Sequence, residues 1–223
     1  MARYLATVFF LCSFSVFAEG IKVFPSSAEL TAESREASFS VTNASNEPLN
    51  MRLDLVPWAP KGFTTAVDEA QLLQRKALLV YPPVARVEAG ARQVFRVILR
   101  DRSITDLALF RLKVGWSAVS KDDSAPGKLN FGLGYSLPLM VTAPGATHKL
   151  IYRPVNLDGQ LALEITNKGQ RPVYIKRYKW ADASEGELFG YVWPNHTRYY
   201  KLPKAGPPPL TVQLRTWGWA PSH

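Results

Sequence analysis

Cysteine is almost absent from this chain: its 223 residues include one, Cys12. A lone cysteine rules out an internal disulfide and the paired thiolates of a zinc or redox motif. Histidine is nearly as scarce. His148, His196 and His223 are the only three, in a linker, a turn and the terminus, without metal-ligand spacing. They allow no Ser-His-Asp arrangement, and Asp122-Asp123 lie in a loop with no general acid set against them. Gly132-Leu133-Gly134 lacks the third glycine and following helix of a dinucleotide site. No catalytic constellation is present, and neither cofactor nor metal is expected. Long apolar runs are missing too: after the N-terminus, no segment approaches the ~20 residues of a membrane-spanning helix.

The N-terminus has the pattern of a cleaved leader. Arg3 supplies the positive start, Leu5–Phe17 a short apolar stretch, and Val16 and Ala18 the small residues before a cleavage site. Residues 1–18 are therefore expected to be a signal peptide, with cleavage after Ala18 and loss of Cys12. An exported chain without disulfides depends on burial, and about 205 remaining residues suffice for two small domains. Lys and Arg number 27 against 18 acidic residues, a formal charge of +9. The excess is scattered, and Lys176-Arg177-Tyr178-Lys179 alternates like a solvated strand face. Export argues against nucleic acid, leaving acidic protein partners and protected sheet edges as the uses of this charge.

The 17 prolines and 14 glycines separate many short alternating runs, the punctuation of an all-β chain. Phe95, Val97 and Leu99 alternate with Val94, Arg96 and Ile98, the two-residue period of a strand. Before them, Tyr81 precedes Pro82-Pro83, which removes two ladder donors and suits an edge or a switch between sheets. The one helical candidate is Asp68–Lys76, without a strong cap. Thr142–Lys149, rich in small residues with Pro144-Gly145, is the expected hinge. It divides a first domain, 19–143, from a second, 144–223. No sequence repeat is visible between the halves, and each has the approximate length of an immunoglobulin-like sandwich.

Five segments in order resemble the PapD/FimC-like family of periplasmic pilus-assembly chaperones. They are FSVTN ending at Asn43, LDLVPW ending at Trp58, the Pro82-Pro83 and Gly90 block leading to Arg96, FGLGYSLPLMVTAP from Phe131, and LALEITN with YVWP in the second half. The resemblance implies two immunoglobulin-like sandwiches in a boomerang arrangement and a periplasmic location. It also implies stoichiometric capture of pilus subunits, one per chaperone, and their delivery to an outer-membrane usher. In this family the last strand of the first domain is lent to a subunit that lacks one, so backbone bonds supply affinity and alternating side chains supply specificity. The odd positions Leu129, Phe131, Leu133, Tyr135 and Leu137 are apolar and form the expected donor row. The same alternation also fits a strand whose apolar row faces its own core. An unpaired apolar edge further points to self-association of the free form.

The resemblance implies an arginine and a lysine that hold the subunit's C-terminal carboxylate, but counting from Asn43 and Pro144 places Ser27 and Leu139 there. Ala143 and Thr216 likewise occupy places of the family's interdomain ion network. The chain thus resembles the archaic-type branch, whose cleft cations come from elsewhere. Arg111 and Lys113 are the expected anchor, because an i, i+2 pair on a strand points to one side. An exposed strand face is the plain alternative, and Arg96 and Arg35 are weaker candidates. Two rival functions remain: a structural pilus subunit or adhesive sandwich, and an exported carbohydrate-binding sandwich using Trp180, Trp193, Trp217 and Trp219. The absence of cysteine after Ala18, and of a polar extension before strand-like sequence begins there, favours the chaperone, and the tryptophans are expected to fill the second core.

Overall fold

The computed structural model describes residues 20–104, 106–119, 134–179, 185–202 and 213–216. The first strands are β1 (Ile21–Phe24), β2 (Ala28–Leu30), β3 (Glu36–Asn43), β4 (Leu49–Pro57), β5 (Leu78–Tyr81), β6 (Val84–Val87), β7 (Arg92–Leu99), β8 (Ala108–Ala118) and β9 (Tyr135–Val141). They form two sheets, ordered β1-β3-β7-β5 and β2-β9-β8-β4-β6. The remaining strands are β10 (Leu150–Leu157), β11 (Gln160–Asn167), β12 (Val173–Lys179), β13 (Glu185–Val192), β14 (Thr197–Lys201) and β15 (Gln213–Thr216). They form the sheets β10-β11-β14 and β13-β12-β15. The protein is thus built as two β-sandwiches.

Alternation places the first core. Phe39 and Val41 of β3, Phe95, Val97 and Leu99 of β7, and Phe110, Leu112 and Val114 of β8 are all 0% exposed. Each such side chain contributes about 1.5–3 kcal/mol on burial. Proline removes a ladder donor where the chain changes sheets at Pro25, between β1 and β2, and at Pro82-Pro83, between β5 and β6. The second switch is the one expected from sequence. The short helix α1 (Glu69–Gln74) does have a cap, since the Asp68 side chain accepts a hydrogen bond from the Gln71 backbone at 3.0 Å. The second core is smaller and is centred on Leu163, Ile165, Val173, Ile175, Leu188 and Val192.

The halves do contain a repeat. Residues 39–49, FSVTNASNEPL, align with 163–173, LEITNKGQRPV. The equivalent residues Asn43 and Asn167 are both 0% exposed, each at the end of a strand. Asn43 Nδ2 donates to Glu47 O at 2.7 Å and Val87 O at 3.0 Å, and its Oδ1 accepts from Ser45 N at 3.1 Å. Asn167 Nδ2 donates to Arg171 O at 2.8 Å and Val192 O at 3.1 Å, and its Oδ1 accepts from Gly169 N at 2.9 Å. The chain offsets of the local bonds are identical. One amide can close such a corner because it both donates and accepts.

Candidate functional site

The outward face of β8 and β9 carries three successive cross-strand pairs: Leu109 with Met140, Arg111 with Pro138, and Lys113 with Ser136. Adjacent pairs lie about 7 Å apart along the strands, so each meets a different environment. Leu109 and Met140 are buried with Trp193 of the second sandwich, and Trp58, Phe63, Leu107 and Tyr191 pack around them. The Trp193 ring stacks on Phe63 at 4.9 Å and Tyr191 at 5.0 Å, and meets the edge of Trp58 at 5.3 Å. Trp193 therefore fills an interdomain cluster, not the second core, and its 9% exposure leaves no face for a sugar. Trp180, Trp217 and Trp219 lie outside the described residues.

One repeat further along, Arg111 lies in a cleft of about 460 Å³ between the sandwiches. Ser26, Ser27, Trp58 and Pro138 line it from one side, and Tyr174, Lys176, Phe189 and Tyr191 from the other. The Arg111 guanidinium lies 3.8 Å from the centroid of the Trp58 ring, and its Nη1 donates to Ser136 O at 3.2 Å. No carboxylate pairs with it among the described residues. Burial pushes its pKa down from the ordinary arginine range, while Tyr191 acts in the opposite direction. Burial also pushes the Tyr191 hydroxyl up to about 12, against the pull of Arg111. A guanidinium stays charged in proteins. Partial loss of its water therefore leaves an unmet demand for an anion.

Lys113 lies one repeat beyond the cleft. It is exposed, beside Asp54 in the β4 register, and does not line the cavity. The expected anchor pair is thus split, and the lysine that faces the cleft is Lys176 of β12. Leu139, at the family's lysine position by sequence count, is 0% exposed in the first core; the cleft-facing neighbour is Pro138, because adjacent strand residues point to opposite faces. Ser27 does line the cleft. Arg96 is on the outer side of the other sheet, 3.4 Å from Glu36.

The expected donor row divides as well. Leu129, Phe131 and Leu133 lie outside the described residues. Tyr135 is 40% exposed, packs against Trp116, and donates from its hydroxyl to Ile21 O at 2.6 Å. Leu137 is not outward: it is 7% exposed and belongs to the first core, since it shares the face of Leu139 and Val141. The edge of β9 is nevertheless open. Strand β2 pairs in parallel with Leu139–Val141 only, so Tyr135–Pro138 have no strand neighbour on that side among the described residues.

Sequence reasoning missed Lys176 and the aromatic cluster. The basic run at 176–179 alternates like a solvated face, but Tyr174 and Lys176 have the i, i+2 spacing that places both on one side. Together with Tyr191-Val192-Trp193, they were the available signal for a wall facing the other domain.

Comparisons with known proteins agree with this architecture. Residues 20–158, more than half of the chain, match the model of the pili and flagellar-assembly chaperone family, PapD N-terminal domain. A solved chaperone–tip adhesion subunit complex, CsuC–CsuE of the archaic Csu pili of Acinetobacter baumannii, shares 17% identity at TM-score 0.54, over 88% of this chain and 97% of that one. The Salmonella enterica SafA pilin–SafB chaperone complex gives 16% identity and TM-score 0.57, over 83% and 85%. The E. coli chaperone DraB gives 14% identity and TM-score 0.59, over 89% and 91%. No curated protein sequence matches the chain significantly. At these identities the structures support the fold, two β-sandwiches as in known pilus chaperones. The match over residues 20–158 establishes that this chain belongs to the pili and flagellar-assembly chaperone family.

Proposed function

We propose that this protein is a periplasmic chaperone that captures pilus subunits one-to-one, through its interdomain cleft and the edge of β9, and presents them to an outer-membrane usher. The observation that carries this reading is Arg111: a partly desolvated cation with no carboxylate partner among the described residues, beside an open strand edge. A subunit's C-terminal carboxylate entering the cleft meets the guanidinium, which can bind it bidentately, while Lys176 adds positive charge from the opposite wall. The chain before that carboxylate extends along β9, and Leu129, Phe131 and Leu133, which precede β9 in sequence, are the side chains offered to the subunit. Tyr135 and Leu137 serve the chaperone's own fold. The solved relatives include complexes with a tip adhesion subunit and with a pilin, in keeping with a subunit as the partner here.

Capture needs no nucleotide: strand pairing supplies the backbone bonds, and the charge pair fixes the register. Co-expression with the pilin-like genes of the source genome tests the proposal. A 1:1 complex recovered from the periplasm is the expected result. A chaperone recovered alone in the presence of every candidate subunit would contradict it.

A further inference from the structure

The aromatic cluster brings the two sandwiches together through ring and apolar contacts. A directional contact lies on the same outward face, one strand further along, in β2. Glu29 of β2 is aligned with Met140 of the interdomain cluster. Its side chain is 9% exposed, and its Oε2 accepts a hydrogen bond from Arg171 Nη2 of the second sandwich, whose side chain is 33% exposed. Glu29 Oε1 accepts from the hydroxyl of Thr142 at 2.6 Å, where the chain leaves the first sandwich. Both ends are braced. Ala28 and Leu30 are buried in the first core on either side of Glu29, and Asn167 Nδ2 holds the Arg171 carbonyl at 2.8 Å. The loop carrying Arg171 also clasps the linker: Arg171 N donates to Thr147 O at 3.1 Å, and Lys168 N to Lys149 O at 2.7 Å. A Cβ on Gly169 would run into the carbonyl oxygen of Thr147, so this clasp requires glycine.

We propose that Glu29 and Arg171 form a positioning pair that sets the placement of the second sandwich on the first, and with it the width of the cleft between Arg111 and Lys176. Its location couples domain placement to capture. Ser26 and Ser27 immediately precede β2 and line the cleft, while β2 itself pairs with the last three residues of β9. Displacing Glu29 therefore disturbs a cleft wall and the end of the capture strand together. The effect on capture rests on the chaperone function proposed above; the effect on domain placement does not.

The test uses spin labels at Lys113→Cys and Lys201→Cys, both exposed and one in each sandwich, with the only native cysteine, Cys12, replaced by serine. The distance distribution of the free chaperone should be narrow. Glu29→Gln and Arg171→Met should each shift or broaden it, the double variant should be no worse than either single, and the reversed pair Glu29→Lys/Arg171→Glu should restore part of the narrow distribution. Without labels, each single variant should lose subunit affinity by about tenfold, with much less than a further tenfold loss in the double variant. An unchanged distribution in both single variants would overturn the proposal, as would a changed distribution with unaltered capture. If a single variant fails to fold, the reversed pair decides: a folded reversed protein with a narrow distribution near the wild-type distance supports the pair, and a broad or displaced one refutes it. The distance measurement needs no subunit. A wild type that captures nothing would therefore defeat the proposed function while the pair's effect on domain placement is still read.

Discussion

Replacing Asn43 by alanine removes the amide that closes the end of β3. Its Nδ2 serves the carbonyls of Glu47, Val87 and Glu88 at 2.7, 3.0 and 3.2 Å, and its Oδ1 serves the backbone and hydroxyl of Ser45 at 3.1 and 2.6 Å. The residue is 0% exposed, so water does not easily replace these partners. The net value of a hydrogen bond is about 1 kcal/mol, and a buried group left unpaired costs about 1–3 kcal/mol. Two amide hydrogens are shared among three carbonyls, and the Ser45 groups lie near solvent, so the bonds do not all count fully. A loss of about 3 kcal/mol is expected, in the upper part of the range for point substitutions. Urea unfolding followed by circular dichroism should show the midpoint falling by about 1 M or more. Asn43→Asp is the stricter control, because it keeps the shape but turns a carboxylate oxygen toward carbonyls and should be the more damaging change. A loss below about 1 kcal/mol for alanine, or a milder effect for aspartate, would refute this account of the corner.

Three further outcomes are expected. Trp193→Ala should remove about 3–5 kcal/mol of packing from the interdomain cluster and increase the radius of gyration in solution scattering; an unchanged radius would show that the cluster does not hold the sandwiches together. Tyr191 and Tyr200 are both pushed up to about 12 by burial, so the folded chain keeps protons that the unfolded chain releases near pH 10; stability should fall as pH rises from about 10 to 12, with a shallower slope in Tyr200→Phe, and an equal slope would contradict the assignment. Phe131→Asp should abolish subunit capture while leaving the free chaperone folded, whereas Leu137→Asp should unfold the first sandwich; the reverse pattern in thermal melts and capture assays would reassign the two residues.

Much of the fold was legible because alternation and proline act locally. Phe95, Val97 and Leu99 declared a buried face through their spacing, and Pro82-Pro83 marked a sheet switch through its missing donors. The site was less legible because it depends on which neighbour each face meets. Alternation places Leu137 and Pro138 on opposite faces but does not say which face is the core. Arg111 and Lys113 share a face as expected, yet one strand repeat separates a half-buried cleft from open solvent. Lys176 was hidden because its partner wall belongs to the other sandwich, distant in sequence. The repeat between 39–49 and 163–173 was present throughout, but only the matching bonds of Asn43 and Asn167 distinguish it from chance likeness. The Asp68 cap is a weak signal in the sequence, an isolated aspartate before a short helix, and shows only through its bond to Gln71.

The central claim is that Arg111 receives a subunit's C-terminal carboxylate in the interdomain cleft, and a double-mutant cycle on that contact tests it most directly. The affinity of wild-type and Arg111→Ala chaperone would be measured for a pilin subunit with a free C-terminus and for the same subunit amidated. The account predicts that Arg111→Ala costs about 2–5 kcal/mol with the free acid, that amidation costs the wild type a similar amount, and that the alanine variant scarcely distinguishes the two subunits. Equal losses from Arg111→Ala with both subunits would contradict it and place the carboxylate elsewhere.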